Sequence, residues 1–140
     1  MKHIRETILF SLLQVTRRLH KQAVHDLNAL GLYAGQEKFL LLLWEQDGLM
    51  QSQIAESMYV EQATVTQVLD HLARAGLIQR SRDEQDGRIS RVYLTEHGKA
   101  LQEPLLLAWK ELEERTVQGL NETEKTLLRR LLLHLSANLS

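Results

Sequence analysis

Residues 51–80, "QSQIAESMYVEQATVTQVLDHLARAGLIQR", restrict the fold more than any other stretch. Ile54, Ala55, Val60, Val65, Leu69 and Leu72 fall at the buried positions of two short helices joined by a tight turn, a helix-turn-helix, and the run continues into a strand. Ala55 is small where the two helices must approach closely. With Val65, Val68, Leu69 and Leu72 turned inward, a rotation of about 100° per residue puts Ala63, Thr66, Gln67, Asp70, His71 and Arg74 outward, with Thr64 beside them. The first turn of that face is short, uncharged and able to hydrogen-bond. It suits a helix whose N-terminal end enters a DNA major groove, where Gln reads adenine and Thr donates to a base or meets a thymine methyl. The same face also fits a solvated helix over a helical core.

Immediately downstream, "SRDEQDGRISRVYLT" places three arginines around an Asp86-Gly87 turn and closes on Val92-Tyr93-Leu94, which alternates as a strand does. A helix-turn-helix followed at once by a β-hairpin is a winged arrangement. Arg82, Arg88 and Arg91 would then lie beside the recognition helix, where phosphates and a narrow, negative minor groove stand. The Asp86 carboxylate is two residues from Arg88 and close enough to orient its guanidinium. The alternative is a solvated hairpin whose ion pairs carry little energy.

The ends of the chain are helical. Ile4, Ile8, Leu12, Val15, Leu19, Ala23, Leu27 and Leu30 recur every three or four residues, which predicts one amphipathic helix over residues 4–30 with Gly31 as its stop. Its apolar stripe asks for more partner surface than a small domain offers and points to a second chain. Further helices are predicted at 36–46, 51–58 and 62–75. Thr95 and Asn121 are N-caps for two final helices at about 96–118 and 122–138, the second with Glu124 completing a capping box. Pro104 should kink or split the first of these. Leucines 127, 128, 131, 132 and 135 give the last helix a leucine face. The fold class expected is mainly α with a small β-hairpin.

Composition narrows the function. A chain of 140 residues, 44% apolar, can build one domain with its own core, so residues 1–140 are expected to form a single domain. A net charge of −1 excludes a polycation, so nucleic-acid binding has to rest on local patches. The absence of cysteine excludes disulfides, thiolate metal sites and a thiol switch. Six histidines (His3, His20, His25, His71, His97 and His134) show no metal-ligand spacing, and no Walker loop, dinucleotide fingerprint or nucleophile-base pair is evident, so no metal, cofactor or enzymatic activity is expected. The charged N-terminus is not a signal peptide and no run is long enough to span a membrane, which predicts a soluble, cytoplasmic protein. Trp44, Trp109, Met50 and Met58 are expected in the core, with a small-molecule pocket as the other possibility.

Together these motifs resemble the MarR family of bacterial transcription regulators over nearly the whole length. "GLYAGQEKFLLLL" is similar to the family's second-helix region, residues 51–80 to its helix-turn-helix, and "RDEQDGRISRVYLTEHG" to its wing and the following helix. The "EQ" start of the recognition helix resembles the SlyA-like branch. The resemblance implies a homodimer on a pseudo-palindromic duplex, built from dimerisation regions at 1–32 and 96–140 and a winged DNA-binding lobe at 36–95. A repressor released by a small aromatic or anionic ligand is the implied activity; the alternative is a dimeric protein-interaction module that uses the same fold without DNA. The implied DNA-facing residues are Gln51 and Ser52 toward phosphate, Gln62, Thr64, Thr66, Gln67 and His71 on the recognition helix, and Arg82, Asp86, Arg88 and Arg91 on the wing. Three positions depart from the pattern: Tyr59 where glycine is common in the turn, and Gln67 and Gly87 where arginine is frequent.

Overall fold

Thr7 decides how the chain begins. In the computed structural model, which describes residues 2–140, the hydroxyl of Thr7 donates to the Ile4 carbonyl at 2.6 Å and accepts from the Phe10 N–H at 3.1 Å. That caps a new helix and closes the previous turn, so the single helix expected over 4–30 is instead α1 (Lys2–Arg5) and α2 (Ile8–Ala29). α2 ends as expected at Gly31, which adopts φ 81° while the Leu32 N–H reaches back to the Leu27 carbonyl.

The chain divides into two compact units, Met1–Ala108 and Trp109–Ser140. The first continues with α3 (Gln36–Glu45), β1 (Leu49–Met50), α4 (Gln51–Met58), α5 (Gln62–Arg74), β2 (Ile78–Arg82), β3 (Ser90–Leu94), α6 (Glu96–Ala100) and the start of α7 (Gln102–Thr116). The helix-turn-helix spacing is realised: Ile54, Ala55, Val65, Leu69 and Leu72 are all buried, joined by Leu32, Leu40, Leu43 and Val92. Val60 and Val68 pack against this core from its margin. In β3, Val92 and Leu94 point into the core and Tyr93 away from it.

The hairpin is part of a three-stranded antiparallel sheet of order β1-β3-β2. β2 and β3 pair from Ile78 opposite Leu94 to Arg82 opposite Ser90, while β1 places Leu49 opposite Val92 and Met50 opposite Arg91. The two residues of β1 are too few to show alternation in the sequence. Asp47 guides them into place, its carboxylate accepting the Leu94 N–H at 2.8 Å, and Gly48 turns the chain at φ 76°.

Downstream, Thr95 caps α6 by accepting the Gly98 N–H, and the predicted 96–118 helix splits at Leu101. Pro104 accounts for the split, because it has no N–H to offer the carbonyl one turn back. Trp44 stands half-buried with its indole N–H donating to the Gly98 carbonyl at 3.0 Å, as expected of a core residue with a polar edge. In the second unit, Asn121 and Glu124 form the predicted capping box at the head of α8 (Glu122–Leu139). No α8 residue is buried, and Leu127, Leu128, Leu131 and Leu132 are exposed. Trp109, expected in the core, is 63% exposed.

Gly98 sets the tightest approach in the first unit, since a Cβ there would stand 2.1 Å from the Leu77 carbonyl oxygen. Gly98→Ala should therefore lower unfolding stability by about 1–3 kcal/mol, the usual cost of overpacking against backbone. Urea denaturation followed by circular dichroism reads this directly, and a variant as stable as the parent would show that α6 need not sit so close.

Candidate nucleic-acid interface

The outer face of α5 follows from what its inner face buries. With Val65, Leu69 and Leu72 committed to the core, Gln62, Ala63, Thr64, Thr66, Gln67, His71 and Arg74 are exposed. Their hydrogen-bonding capacity is not equal. The Thr66 hydroxyl donates to the Gln62 carbonyl at 3.0 Å and accepts from the Gln51 amide at 2.7 Å, so its one proton is already engaged. Half-buried Gln51, the first residue of α4, thus ties the two helices of the motif together, and neighbouring Ser52 is exposed. Gln62, Thr64 and Gln67 keep the open, uncharged donors and acceptors of the first two turns.

At the wing the arginines divide into two roles. Arg88 is 91% exposed, yet Asp86 holds it as a fork, accepting from Nε at 3.1 Å and from Nη2 at 3.2 Å. Asp86 also accepts the Arg88 N–H, which fixes the turn from which the side chain projects. Arg91 is turned inward. Its Nε donates to Asp83 at 2.7 Å and its Nη1 to the Gly48 carbonyl at 3.0 Å, so it fastens the wing to β1 rather than reaching outward. Arg82, at the end of β2, donates to the Gly87 carbonyl at 2.6 Å and braces the tip. Arg80, Ser81, Arg82, Gly87, Arg88 and Ser90 line an open cavity of about 460 Å³ with three guanidinium groups, a setting for anionic oxygens.

Two organising roles were not read from the sequence. Asp83 accepts the N–H groups of Gln85 and Asp86 as well as Arg91, the local turn an aspartate makes with backbone two and three residues on. Its position ahead of the Asp86-Gly87 turn was the available signal. Asp70 pairs with Arg80, linking α5 to β2 and so setting helix against wing. That pair joins residues ten apart across two elements and has no local signature.

Comparison with known proteins points the same way. Residues 32–90 match the model of the MarR family, a span that contains the helix-turn-helix and the wing tip. That segment belongs to the MarR family. Among relatives of this chain, the organic hydroperoxide resistance transcriptional regulator of Bacillus subtilis is 35% identical over 96 residues, 69% of this chain and 65% of its own length. The chain thus spans just under two thirds of that regulator. The transcriptional repressor YetL of Bacillus subtilis is 28% identical over 95% of this chain and 81% of its own length. Among solved structures, a point mutant of S. aureus MepR bound to an oligodeoxyribonucleotide is 29% identical, with a TM-score of 0.68 over 96% of this chain and 99% of the MepR chain. A second MepR mutant reaches a TM-score of 0.82 at 28% identity, over 96% and 99%. These relatives are transcriptional regulators, not enzymes, as is the fold neighbour SlyA, 28% identical over 94% of this chain. Among the described residues no group of His, Asp or Glu is arranged to hold a metal, and no helix is long and apolar enough to cross a membrane.

The wing carboxylates are tuned by their partners. The hydrogen bond from Arg91 is the main cause holding Asp83 below the ordinary value of 3.8, and the bond from Arg88 does the same for Asp86. Asp83 in turn raises Arg91. A carboxylate lowered in the folded state contributes its stabilisation above its unfolded value and loses it as pH falls through the folded one. The wing latch should therefore be constant from pH 8 to about 5 and release only in more acidic solution. The Arg91 Nε–H resonance in a pH titration is the readout; a shift centred near neutrality would contradict the pairing.

Proposed function

We propose that this chain is a cytoplasmic DNA-binding transcriptional repressor that grips a pseudo-palindromic operator as a homodimer. In this reading the N-terminal half of α5 enters the major groove and Arg88 enters the adjacent minor groove. The observation that carries the reading is Arg88 itself, almost fully exposed yet held as a fork by Asp86. An exposed pair of this kind is worth little to folding, whereas a pre-oriented guanidinium is suited to a narrow, negative groove. The DNA-bound MepR neighbour supports the partner, and the repressor YetL supports the sign of regulation.

Assembly follows from exposed apolar surface. Ile8, Leu9, Leu13 and Val15 on α2 are more than half exposed, and α8 adds its leucines. Apolar faces of this extent are the mark of a protein interface, and a second copy is the occupant that a two-fold operator requires. Release by a small aromatic or anionic ligand completes the proposal. Peroxide sensing through a cysteine thiol is not available to these 140 residues, which contain none.

Base contact and groove contact should separate by mutation. Arg88→Ala is expected to weaken operator binding by about 1–3 kcal/mol per half-site while leaving the melting temperature nearly unchanged. Gln67→Ala should change which bases are tolerated, with the salt dependence intact because no charge is lost. Fluorescence anisotropy on the operator and on duplexes carrying single base-pair changes reads both, and an Arg88→Ala protein of parental affinity would remove the wing from the interface. Light scattering should give twice the mass of one chain; a stable, well-folded monomer would count against the dimer.

A further inference from the structure

We propose that Tyr59, in the turn of the helix-turn-helix, is an additional DNA contact: its phenol donates a hydrogen bond to a backbone phosphate at the rim of the major groove. The proposal rests on the DNA-binding reading above and adds to it a residue of a different chemical kind from the wing arginines.

Tyr59 holds φ 54° and ψ 41°, and among the described residues it alone adopts a positive φ without being glycine. The turn imposes that conformation. The Tyr59 N–H reaches back to the Glu56 carbonyl at 3.3 Å and the Val60 N–H to the Ala55 carbonyl at 3.1 Å, which closes α4 and redirects the chain into α5. Glycine meets this demand without cost, whereas a residue with a Cβ is strained there. Burial does not offset the strain, because Tyr59 is 97% exposed. A strained residue whose ring gains nothing inside the chain is the kind of outlier from which function is inferred.

Position and charge say what the ring meets. Tyr59 stands two residues ahead of Glu61, the N-cap of α5, and so beside the exposed Gln62, Ala63 and Thr64 that would enter the groove. The surface flanking that entrance is phosphate. Glu56 and Glu61, both exposed on either side, would repel it. A phenol supplies a neutral donor at that spot and a rigid ring that loses little conformational freedom on binding. Because no charge is neutralised, the contact adds affinity without releasing a counterion, the opposite of an arginine on phosphate.

The test compares Tyr59→Phe and Tyr59→Gly with the parent on one duplex that the parent binds, by anisotropy across a salt series, with a melting curve for each. Tyr59→Phe should weaken binding by about tenfold per half-site, the low end for one hydrogen bond to a charged acceptor. Tyr59→Gly should weaken it at least as much, and its melting temperature should equal or exceed the parent's, since relief of strain offsets the freedom glycine adds to the unfolded chain. Both should keep the parent's salt slope. Parental affinity in both variants, a shallower salt slope, or a marked fall in the melting temperature of Tyr59→Gly would each overturn the proposal. Failure of the parent to bind any duplex would overturn the DNA reading and this contact with it, whereas tight parental binding with unaffected variants removes Tyr59 alone.

Discussion

Burial of the inner face of α5 is the constraint on which the rest depends. Val65, Leu69 and Leu72 are each fully enclosed, against a core that also holds Ile54, Leu40, Leu43 and Val92. Side chains of that size gain roughly 1.5–3 kcal/mol each on leaving water. That is far more than the exposed residues of the same helix could gain from one another. The helix therefore has one rotation about its axis, and that rotation turns Gln62, Thr64 and Gln67 outward. The chemistry of the outer face is set by packing on the inner one.

The wing depends on polar geometry instead. Arg91 joins Asp83 to the Gly48 carbonyl, Arg82 meets the Gly87 carbonyl, and Asp70 pairs with Arg80 across to α5. Each bond is partly solvated and weak by itself. Together they spend most of the wing's cationic groups on holding its shape, and Arg88 is the arginine that projects. The modest net charge is compatible with the proposed DNA binding, which draws on one placed guanidinium in each wing rather than on a broad basic field.

Much of this was legible in the sequence where periodicity or a cap has a strong local signal. Helices 36–45, 51–58 and 62–74 follow from apolar spacing, and Thr95, Asn121 and Pro104 each act as their side chains dictate. The break at Thr7 was hidden, because the apolar stripe of residues 4–30 runs straight through it and capping overrode periodicity. β1 was hidden for the opposite reason, being two residues long and fixed by bonds from Leu94 to Asp47 and from Arg91 to Gly48, partners far off in the chain. Within the site, the exposed positions of α5 and the Asp86–Arg88 fork could be read from spacing. The inward turn of Arg91 and the engagement of Thr66 by Gln51 could not, since both depend on partners brought close only by the fold. Tyr59 was visible as a departure from the family pattern, and its left-handed backbone shows that the turn keeps its shape with a tyrosine in it.

The central claim is that a charged wing and a neutral recognition helix act together on duplex DNA. The most direct measurement is the affinity of the unmodified protein for a duplex from beside its own coding region, as a function of salt. In the proposed dimer, with Arg88 projecting from each wing, log Kd should rise linearly with log salt with a slope of at least about two, roughly one for each phosphate neutralised. Affinity that is flat from low to physiological salt, or equal for every duplex tried, would contradict the account.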